Sequence, residues 1–318
     1  MKALVTGGAG FVGSHLCAAL LERGLEVVCV DNFSTGSESN VESLRGRRGF
    51  EVVEHDITMS LPLSLHADLI FHLASPASVA DYLSRPMQTL RVNSLGTLAL
   101  LDLAQADGAR FLFASTSEIY GDPYVHPQPE TYWGNVNPVG PRACYSEGKR
   151  FGESATMVYT REYGLDARIV RIFNTYGPHS RPDDGRIVPN FIIQALRDEP
   201  LTVYGDGSQT RSYCYVSDLV AGIVAAMFGD LSGAEVFNLG NPDEYTVSHF
   251  AQIISRQVGS TSGVVHQSLP EDDPTQRRPD ITKAREYLGW EPHVDLATGI
   301  DRTISWFRDV LRLSEPVA

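Results

Sequence analysis

The chain has 318 residues, enough to bury a substantial core as one large domain or two closely packed ones, and its 42% hydrophobic and 20% charged residues are those of an ordinary globular protein. A formal charge of −13 argues against a broad nucleic-acid surface, which needs a basic stripe, yet allows a small anionic ligand held by a local arginine cluster. Apolar runs such as Leu98 to Leu103 fall far short of the roughly 20 residues of a membrane span, so no membrane partner is expected.

Residues 2 to 6 (Lys-Ala-Leu-Val-Thr) predict a buried strand, with no basic leader or small-residue cleavage site, and a soluble, cytoplasmic protein is expected. A glycine-rich turn and a helix from about Gly10 to Glu22 come next. A second strand, Glu26 to Val30, ends at Asp31. Apolar runs at Glu51 to Val53, Asp68 to Phe71, Phe111 to Ala114 and Arg168 to Ile172 then alternate with helical patterns at Gln88 to Ala106 and Arg142 to Tyr163. This alternation predicts the α/β class, with a Rossmann-type doubly wound parallel sheet covered on both faces.

Turn formers cluster after Gly177, in Gly177-Pro178, Arg181-Pro182 and Asp183-Asp184-Gly185, which places a boundary there. Residues 1–177 are expected to form the Rossmann-type domain and 178–318 mainly a smaller lobe. Helices are expected near Val188 to Arg197, Ser217 to Met227, Ser248 to Val258 and Leu296 to Arg308, with a short strand at Thr202 to Tyr204. Val236 to Leu239 reads as a strand returning to the main sheet near 235–240, so the lobes interleave. Cys17, Cys29, Cys144 and Cys214 lack metal-ligand spacing and are expected as buried free thiols; no metal is expected.

The segment Thr6-Gly7-Gly8-Ala9-Gly10-Phe11-Val12-Gly13 follows a strand and opens a helix, the context of a dinucleotide fingerprint. Gly7, Gly10 and Gly13 let the backbone approach a pyrophosphate, and the helix start offers N–H groups and partial positive charge. Asp31, ending the second strand, would accept bonds from ribose hydroxyls and repel a 2′-phosphate, which favours NAD over NADP. Asp56 is either an adenine contact or a solvated loop carboxylate. Leu73-Ala74-Ser75 follows the fourth strand, at the sheet's ligand-binding edge. Further on, Tyr145 and Lys149 share one helix face; a nearby ammonium and the nicotinamide's charge would lower the phenol toward working pH, making it a base.

The glycine turn, Thr116 and Tyr145-x-x-x-Lys149, in this order, resemble the extended short-chain dehydrogenase/reductases, or NAD-dependent epimerase/dehydratase family. Within it, Thr116-Ser117-Glu118-Ile119-Tyr120-Gly121-Asp122-Pro123, Gly140-Pro141-Arg142-Ala143-Cys144-Tyr145, Arg171-Ile172-Phe173-Asn174-Thr175-Tyr176-Gly177-Pro178 and Gly207-Ser208-Gln209-Thr210-Arg211 are similar to UDP-glucuronate decarboxylases. The likeness covers nearly the whole chain and adds Asp272-Asp273-Pro274, Arg277-Arg278-Pro279-Asp280 and Leu288-Gly289-Trp290.

That resemblance implies NAD as cofactor and a UDP-sugar as substrate. It makes Tyr145 the base, Lys149 its partner, Thr116 a hydroxyl held on the oxygen of sugar carbon 4, and Glu118 and Arg277 the groups around the sugar carboxylate. Ser117 stands where 4,6-dehydratases carry an aspartate acid, so dehydration is disfavoured. Phe11, Val12, Asn32, Ile57 and Thr175 are implied as further cofactor contacts. Asn174, Arg186, Val188, Tyr204, Gln209 and Arg211, with Arg278, are implied around the nucleotide sugar. A homodimer through the helices at Gln88 to Ala106 and Arg142 to Tyr163 is implied as well. Two alternatives stand beside decarboxylation: a UDP-glucuronate 4-epimerase, in which the carboxylate survives, and a non-catalytic NAD and sugar-nucleotide sensor, against which the complete Thr116, Tyr145, Lys149 set counts.

Overall fold

Period-two alternation of apolar side chains builds the centre of the molecule. In the computed structural model, which describes residues 1–231 and 233–312, strands β1 (Lys2–Thr6), β2 (Glu26–Asp31), β3 (Phe50–Glu54), β4 (Leu69–His72), β5 (Arg110–Thr116), β6 (Ala167–Ile172) and β7 (Glu235–Leu239) form one parallel sheet of order β7-β6-β5-β4-β1-β2-β3. Ala3, Val5, Cys29, Phe71, Leu112 and Val170 point to one face and its core. Leu4, Val28, Ile70, Phe111, Phe113 and Ile169 point to the other. Strand order reverses between β1 and β4, which opens a crevice at their carboxyl ends, the usual ligand site of such sheets.

Helix α1 (Phe11–Glu22) leaves β1, and two short helices, α2 (Val79–Ser84) and α3 (Pro86–Arg91), follow β4. The single helix expected from Gln88 to Ala106 is interrupted: a π turn at Val92–Gly96 separates α3 from α4 (Thr97–Asp107). Asn93, inside that turn, donates its amide to the Thr89 carbonyl and the Ser75 hydroxyl, so a side chain competes locally with the helical ladder. The long helix α5 (Ala143–Tyr163) then runs back along β5.

Beyond residue 177 come α6 (Ile187–Leu196), α7 (Val216–Phe228), α8 (Val247–Val258), α9 (Thr282–Leu288) and α10 (Leu296–Leu311). The chain returns to the body of the main sheet twice, with α7 packed beside α1 and β7 paired to β6 in parallel. Three two-stranded pairs shape the second lobe and its junction: Leu201–Tyr204 with Val264–Gln267, Thr210–Ser212 with Glu244–Thr246, and Thr175–Tyr176 with Cys214–Tyr215. Most of these strands are too short to show a period. Cys17, Cys29 and Cys214 are buried free thiols, but Cys144 is only half-buried, because it sits in the first turn of α5 near the surface. Among the described residues no helix is long and apolar enough to cross a membrane.

Candidate active site

At the end of β1 the chain turns through Gly7, whose φ of +73° suits glycine. A Cβ on Gly13 would lie 2.1 Å from the Gly7 carbonyl oxygen, and one on Gly7 would lie 2.8 Å from the backbone of Ala74. Side chains are thereby excluded from the floor of the crevice. No side chain caps the first-turn N–H groups of α1, which begins after Gly10. Behind the turn, Asp31 Oδ2 accepts the Ala9 N–H at 3.0 Å and Oδ1 the Phe33 N–H at 2.9 Å. Burial raises the Asp31 pKa, and these backbone bonds pull against that rise. Cradle, free helix start and buried carboxylate fit a dinucleotide, with Asp31 placed for the ribose hydroxyls.

Asp56 borders the same crevice and accepts bonds from Asn32 Nδ2 and from the Thr58 N–H and hydroxyl. Burial works against its charge, but the Thr58 and Asn32 bonds hold its pKa below the usual carboxylate range. It is a turn-forming carboxylate with one side toward the ligand space. An Asp31→Asn variant, nearly isosteric but uncharged, is expected to lose discrimination against NADP by about tenfold or more. Parallel titrations with both nucleotides measure this, and an unchanged preference would refute the assignment.

Strand β5 delivers Thr116 to the crevice, where its hydroxyl accepts the Glu118 N–H at 3.2 Å. Helix α5 lies tightly against this strand, since a Cβ on Gly152 would approach Phe113 Cζ to 2.2 Å. Lys149 Nζ donates to the Ala114 carbonyl at 2.8 Å and lies 5.9 Å from the centroid of the Tyr145 ring. One turn further, Glu153 accepts the Ser115 hydroxyl at 2.6 Å and a fork from Arg171 at 2.8 and 3.0 Å. Ala114 and Ser115, the two residues before Thr116, are thus each tied to the helix that carries Tyr145.

Burial controls both titrating groups of the pair. It pushes the Tyr145 phenol up to about 12, with Thr116 and then Arg186 pulling it down. It lowers the Lys149 ammonium to about 7. The expected lowering of the phenol by Lys149 does not emerge: desolvation outweighs the pull of Thr116 and Arg186. Tyr82 stacks flat on Tyr145, with centroids 5.0 Å apart and planes at 4°. Its hydroxyl accepts a bond from Arg142 Nε at 2.9 Å, so an arginine reaches Tyr145 through an aromatic shelf.

Arginines give this end of an acidic protein its local positive potential. Asp273 bridges two of them, accepting from Arg142 at 3.1 Å and Arg211 at 2.8 Å. Glu118 is ion-paired with Arg277, which also donates to the Gly121 carbonyl at 2.9 Å. Burial would raise Glu118, but Arg277 and then Arg142 outweigh it and hold the carboxyl below its usual range.

One continuous cavity of about 620 Å³ joins the two halves. Gly7, Gly10, Phe11, Val12, Gly13, Asp31, Asn32, Asp56, Ile57, Leu73, Ala74, Ser75 and Thr175 line it, with Thr116, Ser117, Glu118, Tyr145 and Lys149, and with Asn174, Arg186, Val188, Tyr204, Gln209 and Arg211. Two expected residues do not. Arg277 is 1% exposed and stands behind Glu118, facing a smaller pocket of about 190 Å³, because a guanidinium buried there takes the nearest carboxylate. Arg278 lies outside the cavity lining; its backbone N–H and carbonyl are both bonded to Gln128, which fastens the loop after Gly121. Tyr82 carries no signal in the sequence, and Arg142 and Asp273, though part of the quoted motifs, receive no role there, since only the fold brings these three distant segments together.

The fold and the site define a dinucleotide-dependent enzyme of the short-chain class, and the chain belongs to the NAD dependent epimerase/dehydratase family, whose model matches residues 3–240. It is 53% identical to UDP-glucuronic acid decarboxylase 1 of Xenopus tropicalis over 98% of this chain and 73% of that protein. A crystal structure of UDP-glucose 4-epimerase with UDP-glucose from Thermotoga maritima is 36% identical, with TM-score 0.89 over 98% of this chain and all of that one, 100%. The UDP-glucuronic acid 4-epimerase of Bacillus cereus, solved with UDP-glucuronic acid and NAD, is 30% identical, with TM-score 0.86 over 98% and 100% of the two chains.

Proposed function

We propose that this protein is a UDP-glucuronate decarboxylase that forms UDP-xylose, as the names of its half-identical relatives suggest. The observation that carries the proposal is Glu118 on the cavity wall, backed by buried Arg277 and flanked by Arg142, beside the Tyr145 and Thr116 hydroxyls. A carboxylate-handling corner thus adjoins a proton-handling one. The Gly7, Gly10 and Gly13 turn and Asp31 would hold NAD, which would supply reversible hydride chemistry at sugar carbon 4. Tyr145 accepts the hydroxyl proton at that carbon, and Thr116 holds the oxygen. Once carbon 4 is a ketone, the carboxylate is beta to a carbonyl, and the electrons freed by loss of carbon dioxide flow to that oxygen. Thr116 and protonated Tyr145 stabilise the resulting enolate. Arg142, on the cavity wall, steadies the carboxylate, and Glu118, kept ionised by Arg277 and Arg142, orders the water that protonates carbon 5.

Ser117 offers no leaving-group acid, which weighs against dehydration. The second reading is a UDP-glucuronate 4-epimerase, favoured by likeness to the Bacillus cereus enzyme. The two share their early steps and part at the fate of carbon 6. Incubating the protein with UDP-glucuronic acid carrying carbon-13 at that position, followed by NMR, is expected to give labelled carbon dioxide and a UDP-pentose. Retained label in UDP-galacturonate would establish the epimerase instead.

The proposal includes a homodimer built on α3 to α5. Met87 and Leu90 of α3, Leu95 of the π turn, and Phe151 and Val158 of α5 are exposed apolar side chains on neighbouring elements. Light scattering is expected to give twice the chain mass. Leu90→Glu combined with Phe151→Glu is expected to give the monomer, and a wild-type monomer would refute the assembly.

A further inference from the structure

Strand β1 pairs with both β2 and β4, so the glycine turn after β1 lies between the segments that follow those two strands. Any link joining the two outer segments crosses the groove above the turn, a span of about 10 Å for strands two positions apart. Arg181, on the loop entering the second lobe, makes that link. Its Nη1 donates to the Thr35 carbonyl beyond β2 at 3.3 Å. Its Nη2 donates to both carboxylate oxygens of Asp81 beyond β4, at 3.0 and 3.2 Å, while Nε bonds Asp183 at 3.2 Å.

All three guanidinium nitrogens are thus engaged by the protein itself. Asp81 is a rigid anchor, 8% exposed and held also by Ser78 and Arg85. A second tie lies over the turn, where Asn40 Nδ2 donates to the carbonyls of Ala9 and of His179 on the Arg181 loop. Thr35, Asn40, Asp81 and Arg181 line the cavity that contains Gly7, Gly10 and Asp31. A partly exposed ion pair alone contributes little, but here the anchor is fixed and the other guanidinium nitrogens are held by Thr35 and Asp183, so the pair is part of a network.

We propose that Arg181 is the latch of the NAD site, bridging Thr35 and Asp81 across the groove so that the dinucleotide leaves only when this bridge opens. The latch rests on the NAD site described above and not on which sugar reaction occurs there. It suits a reaction without net redox change, in which the same cofactor serves every turnover.

The experiment loads the full-length protein with radiolabelled NAD in the absence of sugar. Release is followed by filter binding during a chase with unlabelled NAD, and capture by quenching of tryptophan fluorescence. Arg181→Ala and Asp81→Asn are each expected to speed release on the order of 10-fold, as loss of a charge-assisted bond would. Capture is expected to quicken too, so affinity changes less than release, and the double variant is expected to release no faster than either single one. Unchanged release in both singles overturns the latch. So does weakened affinity confined to Arg181→Ala with wild-type release in Asp81→Asn, which would make Arg181 a pyrophosphate ligand. Should Arg181→Ala fail to fold by circular dichroism, the near-isosteric Asp81→Asn decides alone. A wild-type protein that binds no NAD overturns the cofactor site itself, an outcome distinct from the fate of the sugar.

Discussion

Replacing Tyr145 with phenylalanine is expected to lower turnover by a factor on the order of 10²–10⁴, the usual contribution of a positioned general base. The ring is almost completely buried and stacked on Tyr82, so the variant keeps the packing and loses only the hydroxyl. Because burial holds the phenol up at about 12, the chain's own groups do not make it a base at neutral pH. Because the ring and its stacking on Tyr82 are kept, NAD affinity of the variant is expected to stay within a few-fold of wild type while turnover collapses. Single-turnover absorbance of the reduced nicotinamide and isothermal titration separate the two. A variant with unchanged turnover removes the catalytic assignment of Tyr145.

Lys149 gives the same site a signature in stability. Its pKa is about 7 in the fold, against about 10.4 for an unperturbed lysine. Between those values the unfolded chain binds more protons than the folded one, so this group's contribution to stability rises with pH across that window. Below about 7 the cost of burying the cation is present in full. Lys149→Met is expected to flatten the slope by up to about 1.4 kcal/mol per pH unit. Urea unfolding of nucleotide-stripped protein at pH values inside the window measures it, and parallel slopes in the two proteins would contradict the assigned shift.

Much of this molecule was legible before any coordinates because its central strands are buried on both faces and read as continuous apolar runs. The strand at Val236 to Leu239 announced its return to the sheet by composition alone, and it pairs with β6 along its length. The glycine turn was legible because close backbone approach leaves no other residue possible at Gly13. What escaped the sequence has local or long-range causes that no periodicity carries. The π turn depends on where the Asn93 amide finds acceptors, one of them on the segment after β4. The clamp of Ser115, Glu153 and Arg171 joins residues from two strands and a helix, and the tie of Arg142 and Arg211 to Asp273 depends on segments far apart in the chain. The resemblance implies Arg277 at the sugar carboxylate, whereas in the fold its carboxylate partner is Glu118.

That pairing sets the second large effect. Glu118→Ala leaves Arg277 fully buried, with Nε already unpartnered and the Gly121 carbonyl as its main remaining acceptor. Removing one partner of a buried pair costs about 3–5 kcal/mol, while replacing both by apolar residues of similar size is often neutral. Since Glu118 itself lines the cavity, Glu118→Ala is expected to lose up to about that much stability in urea, and Glu118→Leu with Arg277→Met to recover most of it. A Glu118→Ala protein as stable as wild type would refute the ion-pair account. Acid works on the pair from the carboxylate side: Arg277 and Arg142 hold the Glu118 pKa below its unfolded value, so its stabilising contribution is present above about pH 4.3 and is lost as pH falls through the folded value. The apolar double variant also separates structure from chemistry. If the pair only supports the fold, the restored protein still releases labelled carbon dioxide from UDP-glucuronic acid. If it handles the carboxylate, as proposed, the same folded protein still oxidises carbon 4 through Tyr145 and Thr116 but releases carbon dioxide at least about 10² times more slowly.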